Sequence, residues 1–415
     1  MADGMVFSDS ALQNPETIPL DQIDMSHPEL WRTNAFWGYF KRLRREAPVH
    51  YTPASPYGPY WSITRYADIM HVDTNHQIFS SEPGITIADQ DEDFQLPMFI
   101  AMDPPKHDDQ RKAVQPIVAP DMLAKMEPLI RARICDILDH LPRNEPFDWV
   151  NAVSIELTGQ MLATLFDVPQ EDRRKLTRWS DVATGRDNEK ICPGGEAQFR
   201  AELMECAGYF TNMWNERVNA PPRFDLISMM AHSPSMKNMP PNEFLGNLIL
   251  LIVGGNDTTR NSLTGGVLAL NENPDQYAKL RANPALIESM VPEIIRWQTP
   301  LAHMRRRTVV DTEIAGVKIP AGEKVLMWYV SGNRDETAIE NPDAFIIDRA
   351  RPRQHLSFGF GIHRCVGNRL GEMQLRVTWE EILKRFDKIE VVEEPVRVPS
   401  CFVKGYERMM VRIPG

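Results

Sequence analysis

Cysteine is scarce in this sequence and follows no pattern. The 415 residues hold 5 cysteines, Cys135, Cys192, Cys206, Cys365 and Cys401, an odd number with no CxxC spacing. That rules out a disulfide framework or a four-cysteine zinc site and fits a reducing compartment. A basic surplus is missing as well: 46 Lys+Arg stand against 57 Asp+Glu, a formal net charge of −11. Nonspecific nucleic-acid binding, which rests on neutralising phosphates, is thereby disfavoured. No motif recurs at a period of about 20–50 residues and no low-complexity linker divides the chain, which sets aside solenoids and strings of beads. Residues Met1 to Ser10 lack a basic stretch followed by an apolar one, so neither a secretory signal nor a membrane anchor is expected, and the reading is cytoplasmic.

Hydrophobic residues make up 42% and charged residues 25%, proportions of a soluble folded protein. The 33 prolines fall between helical stretches, as in Asp103-Pro104-Pro105, and mark helix starts and stops. Helical spacing dominates residues 105–300, for example at Met122, Leu123, Met126, Leu129 and Ile130. Strand signals are confined to Tyr60–Tyr66 and to Thr312–Val330, where β-branched runs are broken by glycine. The most apolar segment, Phe244–Leu270, contains Asn247, Asn256, Asp257, Arg260 and Asn261, which predicts a buried central helix rather than a bilayer span. The expected class is mainly α with a small β-sheet region. A single domain is expected over residues 1–415, its β-rich part drawn from about 45–85 and 308–335 and the helical body taking the rest.

The densest signal is Phe358-Gly359-Phe360-Gly361-Ile362-His363-Arg364-Cys365-Val366-Gly367. Its glycines allow sharp bends or close approach to something flat. Cys365 comes just before a helical pattern over Asn368–Phe386, so free N–H groups and partial positive charge there favour a thiolate. Such a thiolate can ligate iron, attack a substrate with His363 as base, or be a structural residue. The stretch resembles, position by position, the haem-binding loop of the cytochrome P450 monooxygenases. The resemblance implies that fold, with a long central helix over haem b (iron protoporphyrin IX), and Cys365 as axial thiolate on iron, with Gly254, Phe358, Gly359 and Gly367 beside the cofactor.

Other segments resemble the same family in the right order. Glu293-Ile-Ile-Arg296 is similar to its ExxR motif, with Arg349 as the third member of a buried triad. Gly254-Gly-Asn-Asp-Thr258 resembles the oxygen-activation segment, which implies Asp257 and Thr258 as proton-relay residues. By geometry alone, Thr258 can reach the carbonyl of Gly254 and open the helix there. His107 and Arg111, four apart on one helix face, resemble a pair that grips the haem propionates; Arg306 and His363 are further propionate ligands by resemblance, and His355 is placed near the haem edge.

The resemblance implies insertion of one oxygen atom of O2 into an unactivated C–H bond of a hydrophobic small molecule. The run Leu251–Ser262 and the stretch His363–Leu370 look like those of alkane and fatty-acid terminal (omega) hydroxylases. Pocket residues are expected at Ile85, Leu96, Met98, Phe99, Leu250, Val253, Leu301, Ala302, Phe402 and Val403. Other hydrophobic substrates (terpene, aromatic or sterol) and a non-catalytic haem-thiolate sensor are the alternatives; Asp257 and Thr258 favour an enzyme. With no GxGxxG fingerprint and no iron–sulfur cysteine cluster in the chain, electrons are expected from a [2Fe-2S] ferredoxin with its NAD(P)H-dependent reductase. Lys106, Arg111, Lys112, Arg364 and Arg369 are the expected docking cations.

Overall fold

In the computed structural model, which describes residue 7 and residues 12–415, the most apolar segment forms one helix, Pro241–Glu272, of 32 residues. Proline at its first turn costs no hydrogen bond. Three of its buried polar side chains are matched by other segments. Asn247 Oδ1 accepts from the Phe99 N–H at 2.9 Å, Thr158 Oγ1 donates to Asn256 Oδ1 at 2.9 Å, and the Tyr406 N–H donates to Asn261 Oδ1 at 3.0 Å. The helix is thus tied to three other segments by groups that would be expensive in lipid. Among the described residues no helix is long and apolar enough to cross a membrane.

Helices Ile155–Phe166, Arg173–Thr184 and Ile287–Gln298 pack around this central helix. Helix Asn368–Arg385, which follows the cysteine loop, lies along Pro120–Asp139. Charge joins that seam: Arg131 meets Glu380 at 2.6 Å and Glu381 at 2.7 Å, and Arg376 meets Glu127 at 2.8 Å. In Pro120–Asp139 the buried stripe is Leu123, Met126, Ile130, Ile134, Ile137 and Leu138; Leu129 faces solvent, so it is narrower than the apolar spacing predicts.

The main sheet has five strands in the spatial order Val49–Thr52, Tyr60–Ile63, Lys324–Met327, Met304–Thr308, Phe79–Ser80. Only the pairing of Tyr60–Ile63 with Lys324–Met327 is parallel. The expected strand at Tyr60–Tyr66 stops at Ile63, because Tyr66 opens a helix with its N–H donating to Asp335 Oδ2 at 2.7 Å. The expected run from Thr312 is three short strands, broken where Gly316 (φ 82°) and Gly322 (φ 88°) turn into the left-handed region. Strand Met304–Thr308 lies before the expected β region, since its three consecutive arginines hide the alternation.

Candidate active site

A cavity of ≈ 2180 Å³ runs between the central helix and the cysteine loop. Three cysteines line it, Cys192, Cys365 and Cys401. Cys192 and Cys365 both stand three residues before a helix, but the N–H groups of the helix start, those of Gly367 and Asn368, point to the sulfur of Cys365. Burial raises this thiol above its ordinary value, and those N–H groups together with Arg111 and Arg364 oppose the rise. The residue is exposed by area because it opens into the cavity, not because bulk water surrounds it.

Asp73, which has no signature in the sequence, fixes the loop ahead of Cys365. Its carboxylate is buried and accepts from the Phe360 N–H at 2.7 Å, the Tyr329 hydroxyl at 2.9 Å and Arg306 at 2.8 Å. Gly359 (φ 63°) and Gly361 (φ 65°) wrap around it; a Cβ on Gly361 would stand 2.5 Å from the Asp73 carbonyl. These two glycines are therefore required by the loop's own packing. Gly254 and Gly367 differ, since a Cβ on either meets open space beside the cavity.

Behind the loop, Glu293 and Arg296 are fully buried and paired at 2.7 Å, and Arg349 reaches the same carboxylate at 3.0 Å. Arg296 also donates to the carbonyls of Asn333 and Pro342, at 2.8 and 2.9 Å. Every buried charge in the triad has partners, the condition under which such a group is tolerable.

On the opposite wall Thr258 Oγ1 donates to the Gly254 carbonyl at 2.9 Å, and both residues line the cavity. Asp257 does not line it. Successive helix residues are turned by about 100°, so placing Thr258 on the cavity turns Asp257 toward Arg173–Thr184. There its carboxylate meets Arg260 at 2.5 Å and Ser180 at 3.1 Å, and Asn256 donates to it at 3.3 Å. Burial pushes its pKa up, with Arg260 opposing. Arg260 reaches on to Asp181 at 2.8 Å, a half-buried residue on the cavity wall. The expected relay pair is thus split: the hydroxyl faces the cavity and the acid connects sideways.

Strand alternation settles which arginine faces the cavity. Met304 and Arg306 point in, while Arg305 and Arg307 point away. Arg111 and His363 also line the cavity; His107 does not. Its Nδ1 is held by Asp108 at 2.8 Å and its ring lies 4.2 Å from that of His363. His355 is off the cavity too, packed 5.3 Å from Phe358. Burial, followed by Arg306, pushes the His363 imidazolium down to about 2, leaving a neutral ring. A haem fits these residues. His107 Nε2 and His363 Nδ1 are buried without a protein partner, Arg111 and Arg306 offer charge to carboxylate arms, and the Cys365 sulfur faces the same space.

The remaining lining is mostly apolar. Ile85, Leu96, Met98, Phe99, Leu250, Val253, Leu301, Phe402 and Val403 line it. Ala302 does not: its N–H is bonded to the Phe402 carbonyl at 2.9 Å, and its side chain joins the small core of Trp31, Phe36, Phe40 and Trp328. Sequence reasoning missed Met304, Tyr329 and Phe199; Met304 alternates with Arg306, which shows only once that arginine is seen to face the cavity, and nothing local marks the other two. At the mouth, Arg186 bridges Asp91 (2.8 Å) and Glu196 (2.6 Å), Arg200 meets Asp93 at 2.7 Å, and Lys190 meets Glu407 at 2.9 Å.

Known proteins are similar to this chain over most of its length. A profile of the cytochrome P450 family matches residues 211–404. The chain is 34% identical over 407 residues to linalool 8-monooxygenase of Pseudomonas putida, covering 94% of this chain and 99% of that protein. It is 31% identical to a methyl-branched lipid omega-hydroxylase of Mycobacterium tuberculosis, over 96% of each chain. Among solved structures, cytochrome P450-153 from Novosphingobium aromaticivorans is 47% identical with a TM-score of 0.89, covering 94% of this chain and 99% of that one. The chain belongs to the cytochrome P450 family and is a monooxygenase built around haem with an axial cysteine thiolate.

Proposed function

We propose that this monooxygenase hydroxylates the terminal carbon of medium-chain alkanes or fatty acids, that Cys365 is the axial thiolate, and that its electrons come from a [2Fe-2S] ferredoxin served by an NAD(P)H-dependent reductase in the cytoplasm. The observation that carries this reading is the apolar bore from Ile85 and Leu96 past Leu250, Val253 and Leu301, with Thr258 and Cys365 also on the wall. The omega-hydroxylase among the relatives supports it. Bound haem supplies the electron-transfer and dioxygen chemistry.

The chain's own part is fourfold. Cys365 presents a sulfur stabilised by two N–H groups. Arg111, Arg306 and His363, backed by His107, hold the cofactor's carboxylates. The Thr258 hydroxyl is the proton-relay group on the cavity wall, bonded to the Gly254 carbonyl, and Asp257 is the buried acid behind it, held off the cavity by Arg260 and Ser180. The bore excludes water and orients the chain; burying about eight methylenes at ~0.8 kcal/mol each contributes at most ~6 kcal/mol, a Kd of about tens of micromolar. A terminal C–H bond is stronger than its neighbours, so selectivity requires that only the methyl end reach the oxidising centre.

The test is turnover of n-octane, dodecanoic acid and linalool by the haem-loaded protein with ferredoxin and reductase, the products being identified by mass spectrometry. Terminal alcohols from the two chain substrates are expected. Predominantly internal hydroxylation, or turnover of linalool alone, overturns the reading. The latter result would favour terpene oxidation, which the linalool 8-monooxygenase relative supports.

A further inference from the structure

Residues 84–91 form part of the cavity wall, yet contain neither helix nor strand. A segment of this kind must satisfy its buried carbonyls with groups from elsewhere. Here they come from two cations on adjacent strands of the main sheet. The Arg305 N–H donates to the Ile85 carbonyl at 2.8 Å, and its guanidinium reaches the carbonyls of Thr86 and Ala88, both at 3.4 Å. Lys324 Nζ donates to the carbonyls of Tyr57 at 2.7 Å and Ile87 at 2.9 Å. Both cations converge on a single carboxylate, Asp89, at 2.6 Å from Arg305 and 3.2 Å from Lys324. Burial works to raise the Asp89 carboxyl, but the two cations outweigh it and hold the group below its ordinary value.

We propose that Arg305 and Lys324, neither of which lines the cavity, are positioning residues: by clamping residues 85–89 they set where a substrate chain lies in the bore. Both are buried and sit on paired strands, so the clamp is as rigid as the sheet behind it. Farther along the segment, Asp91 at the end of the wall and Asp93 beyond it are gripped instead by the partly exposed Arg186 and Arg200, so the wall is fixed on the sheet side and more loosely held at its far end.

The proposal rests on the terminal-hydroxylation reading only in its choice of dodecanoic acid as first probe; linalool is the second. Holoenzymes carrying Lys324→Met, Asp89→Asn or the conservative Lys324→Arg are compared with the wild type. Four readouts are taken: the ferrous–CO spectrum, and then amide hydrogen exchange over residues 84–91, the Kd from the substrate-induced spin shift, and the product distribution, the last three being the ones the clamp should move. For Lys324→Met and Asp89→Asn we expect an unchanged CO band, exchange in 84–91 at least tenfold faster with Pro241–Glu272 unaffected, a Kd for the bound probe about tenfold weaker, and a product distribution spread over more carbons. Lys324→Arg restores all three. Unchanged exchange, or faster exchange with unaltered Kd and product distribution, overturns the clamp. A wild type that binds linalool but not dodecanoic acid sinks the chain-hydroxylase reading and leaves the clamp to be judged on linalool.

Discussion

Buried charge is where single residues matter most. Glu293 is the only anion between Arg296 and Arg349 within the triad, with no exposed surface. Glu293→Ala leaves two buried guanidinium groups facing each other, at a cost of about 3–5 kcal/mol; a lowered melting temperature and poor haem retention should both be seen. Lys404 illustrates the opposite imbalance. Burial, followed by Arg334 and Arg397, pushes its ammonium down to about 7, while Glu272 opposes and Nζ donates to the Gln298 carbonyl at 2.6 Å. The unfolded chain, with a lysine near 10.5, binds more protons than the folded one between pH 7 and 10.5, so this residue's contribution to stability rises with pH across that window. Lys404→Met should flatten the slope in melting temperature measured from pH 7 to 10. A wild-type slope retained in the variant would refute the argument. Residues of this kind were illegible in the sequence, because Lys404 and Asp73 look like any surface charge until the fold encloses them. Cys365 was legible for the opposite reason: its glycines and the following helix are local.

At the scale of elements, sequence served long features better than short ones. The central helix was readable from its apolar length and its scattered polar residues. The strand Met304–Thr308 was not, since alternation over Met-Arg-Arg-Arg-Thr is invisible until one arginine is seen to face a cavity and its neighbours are not. Ala302 was misplaced by the same rule, one residue from Leu301 and therefore on the other side of an extended segment. Leu301 forms a bridge with Val403, which fixes it against the bore without the support of a full strand. Leu301→Ala should widen the bore locally and move oxidation inward from the terminal carbon, read as the ratio of terminal to internal alcohols. An unaltered ratio would remove Leu301 from the selectivity-determining wall.

For the whole molecule, the net charge of −11 disfavours one class of partner but is blind to where the positive residues gather. Of the five cations expected to meet a ferredoxin, Lys106 is bound to Glu243 at 2.6 Å and Lys112 stands 4.0 Å from Asp109, while Arg111 faces the cavity. Arg364 and Arg369 are exposed and without an ion pair among the described residues, which leaves them the strongest candidates for docking. Arg364→Glu with Arg369→Glu should slow reduction by an acidic ferredoxin several-fold at low salt and flatten the salt dependence. Unchanged stopped-flow reduction rates would locate docking elsewhere.

The ion pairs around the mouth separate how fast a guest is exchanged from how tightly it is kept. Arg186, Arg200 and Lys190 hold the rim with partners that reach solvent, and mobile ions weaken such pairs as the Debye length falls from about 30 Å at 0.01 M to about 3 Å at 1 M. Residence in the bore rests on apolar area, which ordinary salt leaves intact. Brine should therefore hasten arrival and departure alike, with both rate constants climbing together and their quotient nearly still: a doorway that loosens while the room behind it stays the same size.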